Sequence, residues 1–242
     1  MKSKPLKTYS VWDKSTRIFH WLNFLTILVL IGVGLVILNA KSLGVSVDGK
    51  VLLKKIHVYA GYVFALNLGW RLIWGFVGSS YARWRAILPG GRGYWKMLTS
   101  YVRGGRTSYL GHNPLGRIAV TVLMAALCVQ AVTGLILAGT DLYFPPFGGW
   151  ISEWVAAPGV DPATLQPYAK DTVDAKAYAA MRDFRSPIIS THVGAFYTIL
   201  VLIILHIAAV IWTEIKHGGN IISAMFTGEK SFSDKPVEED DI

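Results

Sequence analysis

Uncharged, predominantly apolar residues run without interruption from Ile18 to Ala40, from Ile118 to Thr140 and from Ser186 to Thr213. A fourth run, Ile56 to Val77, contains a single charge, Arg71. About 20 apolar residues are needed to cross the hydrocarbon core of a bilayer as a helix. The pattern therefore predicts four transmembrane helices, near 17–39, 54–77, 115–139 and 188–213. The fold class expected is all-α and integral to the membrane, a four-transmembrane-helix bundle. Residues 1–228 would form one domain, followed by an acidic, disordered tail over 229–242. Ser10-x-x-Asp13 resembles a helix-start capping pattern. It would begin the first helix near Val11 and place His20 about three turns in. Helix 1 should end near Asn39, and Asn113-Pro114 should open helix 3. The loop 141–187, with Pro145-Pro146, Gly148-Gly149, Pro158 and Pro162, is too long for a simple turn. It ends in a polar stretch of helical composition, 170–183.

Composition agrees with this pattern. Of the 242 residues 52% are hydrophobic and 16% charged, with a mean hydropathy of +0.41, whereas soluble domains carry about 25% charged residues. The net charge of +9 points to orientation rather than to nucleic acid. Lys2, Lys4, Lys7, Lys14 and Arg17 precede the first span, and the segment 78–117 carries seven basic residues and no acid. Four spans put both regions on one side, which the positive-inside rule makes the cytoplasm. Both termini would then be cytoplasmic, in a bacterial inner membrane, with 141–187 in the periplasm. The aromatic and basic composition of the forty-residue segment suits a helix lying at the headgroups. The first apolar run is too long for a signal-peptide core and reads as a retained helix. Cys128 is the sole cysteine, which leaves out an intramolecular disulfide, thiolate clusters and covalent c-type haem within the chain.

The chemistry lies in the histidines. His192 and His206 are fourteen residues apart, so they lie about 40° short of four full turns and roughly 21 Å apart along one helix. His20 falls near the cytoplasmic end of helix 1, and His57 near the periplasmic end of helix 2. Depths match in pairs, His57 with His192 and His20 with His206. Ionisable residues inside spans are costly and mark functional sites. Two imidazoles per site, with no Cys, Asp or Glu near them in the spans, suit the axial ligation of two haems b better than zinc, which wants four ligands. The irons would be about 20 Å apart. Gly32, Gly34, Gly61 and Gly194 lie near these histidines and permit close approach.

Arg71 is fourteen residues after His57 and so shares its face at the depth of the inner pair. A buried guanidinium needs an anion, and haem propionates accept bidentate bonds. Arg17 is a second candidate for that role. Lys54 and Lys55 are expected to snorkel to the interface. His112 and His217 lie outside the spans and are expected at the interface or the surface.

Several of these positions make up a familiar set. Val11-Trp12-Asp13, Arg17, His20-Trp21, His57, Arg71 with Trp74-Gly75, Gly111-His112-Asn113-Pro114-Leu115-Gly116 and the His192/His206 pair together resemble the bacterial cytochrome b561 and nickel-iron hydrogenase cytochrome b superfamily, over roughly residues 9–228. The resemblance implies that the four histidines ligate two haems b. It also implies electron transfer between the quinone pool and a periplasmic redox protein of hydrogenase or multihaem cytochrome c type. On that reading the chain is the electron-transfer membrane subunit of an oxidoreductase complex. Lipid and quinone are then its other partners, and a second copy of the chain is a further candidate. Two other classes stay open from sequence. One is a self-sufficient superoxide:quinone oxidoreductase, for which Lys50, Lys54 and Lys55 would form the positive mouth that draws in an anion. The other is a haem-free transporter or assembly subunit.

Overall fold

The computed structural model describes residues 6–105, 108–218 and 220–237, apart from the side chain of residue 217. It is mostly helical. Strand β1 (Lys7–Ser10) leads into α1 (Lys14–Leu38) and α2 (Val47–Val77). The short helices α3 (Trp84–Ile87) and α4 (Tyr94–Val102) follow, then α5 (Pro114–Leu142), α6 (Gly148–Val155), a 3-10 turn at Pro162–Thr164 and α7 (Ala175–His217). Helix α8 (Ile221–Thr227) and strand β2 (Glu229–Phe232) close the order. Among the described residues α1, α5 and α7 are long and apolar enough to cross a membrane. Helix α2 is long enough at 31 residues but carries Lys50, Lys54, Lys55 and Arg71. Large apolar side chains such as Leu25 and Leu28 on α1 and Val201, Ile204 and Leu205 on α7 are exposed. Outward apolar faces of this kind suit lipid rather than water.

The chain forms two compact units, and each takes part of all four long helices. The first comprises the described residues up to Leu22, 68–126 and those from Ile199 onward. Here β1 and β2 pair antiparallel, Lys7 opposite Phe232 and Ser10 opposite Glu229. Beyond the ladder the Val11 and Trp12 amides both donate to the Gly228 carbonyl, at 2.9 and 3.0 Å. Gly228 ends α8 at φ 88°, the left-handed conformation glycine adopts without a Cβ penalty. This pairing moves the start of α1 away from the place the sequence suggested. The Ser10, Val11 and Trp12 backbone is engaged with β2 and Gly228, so the helix begins at Lys14, and His20 falls in its second turn. The cap is Asp13, whose Oδ1 accepts the Thr16 amide at 2.7 Å. The same carboxylate also accepts Trp74 Nε1, at 3.1 and 3.2 Å to its two oxygens, and the Ser79 hydroxyl. Burial works to raise the Asp13 pKa, but the bonds from Ser79, Thr16 and Trp74 outweigh it and hold the carboxyl below its ordinary range.

The acidic tail also begins later than expected. Residues 229–232 are a strand, with Lys230 and Phe232 buried, because β1 supplies ladder partners and Trp12 and Leu110 supply apolar cover. Residues 238–242, which carry the acidic run, lie outside the described residues. The Lys230 ammonium donates to the carbonyls of Tyr109, Leu110 and Gly111 at 3.2, 2.7 and 2.9 Å and lies over the Trp12 ring. Helix α5 starts at Pro114 as its sequence predicts, with Asn113 Oδ1 accepting the Gly116 amide at 2.6 Å.

The second unit comprises 23–67 and 127–198. Its buried cluster is Ile151, Val155, Leu165, Val173 and Met181, which seats α6 and the turn at 162–164 on the start of α7. The fourth long helix therefore begins at Ala175, thirteen residues before the predicted boundary at 188. Asp174 caps it by accepting the Ala177 amide at 2.8 Å, and the stretch 175–186 is rich in Ala, Arg and Lys, which favour helix. Pro187 sits inside the helix, where it removes one donor without ending it. In the same way α2 begins at Val47, ahead of the predicted 54, because Ser46 Oγ accepts the Gly49 amide at 3.1 Å.

A Cβ placed on Gly75 would lie 2.2 Å from the Trp84 ring, whose Nε1 donates to the Leu72 carbonyl at 3.1 Å. Gly75→Ala is expected to destabilise the protein by about 2 kcal/mol, the range typical of overpacking. Thermal unfolding of the purified protein in detergent checks this. An unchanged midpoint would mean the Trp84 contact gives way freely.

Candidate functional site

In the second unit α2 and α7 bring His57 and His192 together. Their ring centres are 6.4 Å apart and their planes cross at 74°. Two imidazoles that bind one metal ion from opposite sides at about 2.0 Å put their ring centres roughly 6 Å apart, so the observed separation suits such a pair. His192 is held from α5. Thr133 Oγ1 lies 2.9 Å from its Nδ1, and Gln130 Nε2 lies 3.0 Å from its Nε2. The Thr133 hydroxyl also has the Val129 carbonyl at 2.7 Å. His57 Nδ1 is buried and has no hydrogen-bond partner among the described residues. Glycines back both rings at matching distances. A Cβ on Gly34 would lie 3.3 Å from His57 Cε1, and one on Gly134 would lie 3.3 Å from His192 Cε1. Of the glycines singled out from sequence, Gly34 meets a histidine, whereas Gly32, Gly61 and Gly194 meet open space. Gly134, Thr133 and Gln130 escaped the sequence reading, because nothing in a polar residue on an apolar helix says which ring it faces.

The same unit holds a partly buried charge cluster. Asp141, at the end of α5, receives Lys54 Nζ at 2.6 Å and both Nε and Nη2 of Arg185, the latter at 2.9 Å. Lys54 also lies over the Tyr168 ring, 5.1 Å from its centre. Lys54 is thus an ion-pair partner rather than a side chain reaching to the interface. The pairing escaped the sequence reading because Asp141 and Arg185 flank the long loop and come together only when it folds.

In the first unit His20, on α1, lies within electrostatic range of His206, on α7. Its Nδ1 is buried without a hydrogen-bond partner among the described residues. Arg71 is 5% exposed, the most buried arginine described. Its Nη2 donates to the Ala82 carbonyl at 2.9 Å, its guanidinium stacks near Trp84 and Phe19, and its Nη1 has no partner among the described residues. A buried guanidinium with an open N–H is a ready site for an anionic oxygen. Arg17 is placed differently, since its Nη1 donates to the Phe226 carbonyl at the end of α8, which leaves its buried Nε without a partner.

His112 lies outside the long helices, as expected, but is more enclosed than a surface residue. It is not a free surface residue but half-buried, with its ring 5.1 Å from Trp12 and its Nδ1 without a partner among the described residues. Burial, followed by the positive charges of Lys230 and Arg71, the neighbouring His206 and Arg117, pushes its pKa down to about 3. It is therefore neutral at neutral pH. The strand that delivers Lys230 to this place is what sequence alone did not show. The side chain of His217 lies outside the described residues.

These arrangements suit haem better than a bare ion. No group of three or more His, Cys, Asp or Glu that could hold a metal is found among the described residues. Two facing imidazoles, as at His57 and His192, leave the remaining ligand positions to a macrocycle. The open Nη1 of Arg71 suits an anionic substituent on it.

Comparison with known proteins agrees with this chemistry. The family model described as prokaryotic cytochrome b561 matches residues 11–228. The probable Ni/Fe-hydrogenase B-type cytochrome subunit of Rhizobium leguminosarum bv. viciae is 28% identical over 93% of this chain and 90% of its own length. The protein of the same name from Cupriavidus necator is 26% identical over 96% of this chain and 90% of its own length. The probable Ni/Fe-hydrogenase 1 B-type cytochrome subunit of Escherichia coli K12 is 31% identical over 56% of this chain and 63% of its own length. No solved structure matches significantly.

Asp141→Asn leaves Lys54 and Arg185 facing each other without a carboxylate. Removing one partner of a buried charge cluster costs about 3 kcal/mol, which lowers the melting midpoint of a chain this size by roughly 6–12 °C. Thermal unfolding in detergent measures this. Retention of the wild-type midpoint would show that solvent screens the cluster.

Proposed function

Because the chain belongs to the prokaryotic cytochrome b561 family, we propose that it is a four-span membrane cytochrome that binds two haems b and carries electrons between the quinone pool and a periplasmic redox partner. The observation that carries this reading is the pairing of His57 with His192, whose ring centres are 6.4 Å apart, and His20 lies within electrostatic range of His206 in the other unit. His57 and His192 would ligate the periplasmic-side haem, and His20 and His206 the cytoplasmic-side haem. Haem, when bound, supplies reversible one-electron transfer. The protein's own residues hold, orient and electrostatically tune it.

The count of four spans has support besides hydropathy. β1 precedes α1 and β2 follows α7 and α8, and the two strands pair. Chain segments that pair lie on one side of a membrane, so the number of crossings between them is even. Three helices qualify by composition, and α2 supplies the fourth. The basic residues of 78–105 and of the N-terminal segment then put both termini in the cytoplasm and 143–174 in the periplasm. Arg71, with its open Nη1, is the stronger candidate for a propionate, and Arg17, through its Nε, the weaker. The relatives are named as hydrogenase cytochrome subunits, so a membrane-anchored hydrogenase, or another oxidoreductase with a periplasmic redox centre, is the partner we infer. Superoxide as substrate is disfavoured, because Lys54, one of the three lysines that would form a positive mouth, is paired with Asp141.

The deciding measurement is the dithionite-reduced absorption spectrum of purified protein together with pyridine haemochrome quantification. We expect b-type α-bands and about two haems per chain. A haem-free preparation from haem-replete cells would falsify the reading. Alanine at position 34 or 134 is also expected to displace the His57 or the His192 ring and reduce haem content towards one per chain. Two haems retained in both variants, with unchanged spectra, would count against the His57/His192 assignment.

A further inference from the structure

We infer that Thr133 is a positioning residue of the His57/His192 site, one that fixes which nitrogen of His192 is free to bind a metal. This rests on that pair holding a haem. Neutral imidazole carries one N–H and one lone pair, and what the other nitrogen bonds to decides which is which. A threonine in a helix commonly donates its hydroxyl proton to the carbonyl four residues back, and Thr133 does so to Val129 at 2.7 Å. That proton is therefore spent, and Oγ1 can meet His192 Nδ1, 2.9 Å away, only as an acceptor. Nδ1 must then carry the hydrogen, and the lone pair stands on Nε2. Gln130 Nε2 lies 3.0 Å from that nitrogen, a placement compatible with a lone pair there. A metal ion would take that lone pair in place of the amide. Gly134, the next residue, completes the seat, because a Cβ there would press on the His192 edge that faces Thr133.

Among the described residues His57 has no counterpart to Thr133. Its Nδ1 is buried with no hydrogen-bond partner among the described residues. The two ligands of the site are thus unequal. Accepting the Nδ1 proton makes an imidazole a stronger donor to a metal, and a stronger donor favours ferric over ferrous iron. Thr133 therefore acts through His192 to lower the potential of one haem and leaves the other untouched.

The test is an anaerobic potentiometric titration of the full-length protein in detergent, followed at the reduced α-band. The wild type first shows whether haem is present, so absence of haem there sinks the functional proposal and not this one. With haem present, Thr133→Val keeps the shape and removes the acceptor. One of the two midpoint potentials should rise while the other stays, and the affinity of that site for haem should fall about tenfold or more. Thr133→Ser, which keeps the hydroxyl, should restore both. Should the valine variant fail to accumulate, Thr133→Ala compared with Thr133→Ser reads the same difference. Unchanged potentials without the hydroxyl, or a shift that persists in the serine variant, overturns the assignment.

Discussion

In an apolar medium no water is at hand to satisfy a backbone amide or carbonyl, and this constraint shapes nearly everything else in the molecule. A segment that crosses such a medium must close its own hydrogen bonds, and a helix does so within itself. Helices α1, α5 and α7 are long and apolar enough to cross it, α2 is long enough, and many of their large apolar side chains are exposed. With the backbone fully engaged, chemistry can come only from side chains, and each is fixed in height by its place in the helix. A histidine at 57 or 192 is therefore not merely near a site; the helical rise sets its level, and the neighbouring helix sets its facing.

Burial away from water makes any polar side chain expensive, and the structure meets that cost with small, local groupings. Asp13 gathers the Thr16 amide, the Trp74 indole and the Ser79 hydroxyl, and so ties the start of α1 to the end of α2. Asp141 gathers Lys54 and Arg185. Lys230 is met by three carbonyls. Against this background the open atoms stand out. Arg71 Nη1 and the Nδ1 atoms of His20 and His57 lack protein partners among the described residues. Thr16 Oγ1, Asn23 Oδ1, Arg117 Nε and Thr172 Oγ1 are open as well, so it is the facing histidines and the buried guanidinium, and not the lack of a partner alone, that place these three with the candidate sites.

Three of the long helices could be read from charge-free runs and α2 from a run with the single charge Arg71, and the four histidines were legible because a titratable residue inside such a run is conspicuous. Their depths followed from helical rise. Where the reading went astray, the cause was an interaction distant in sequence. The start of α1 moved from Val11 to Lys14 because Ser10 is committed to Glu229, more than two hundred residues away. The expected disordered tail begins with a strand for the same reason. His112 was expected at the interface or the surface; it is half-buried and packs against Trp12 in the unit where β2 delivers Lys230. Helix α7 begins early because Asp174 caps a helical stretch that α6 and the turn at 162–164 pack against.

Sequence by itself determined the long helices, the level of each histidine along its helix, and the kind of ligand each presents, since these depend on neighbours a few residues apart. It also carried enough of a motif to mark the family. Tertiary structure alone decided which atoms meet. That Thr133 rather than Gln130 stands at His192 Nδ1, that Gly134 backs the ring as Gly34 backs His57, and that Lys54 is neutralised by Asp141 are all matters of helix rotation and packing. Hydrogen bonds are decided within a few tenths of an ångström, and helix rotation at that precision follows from all the contacts of the fold together.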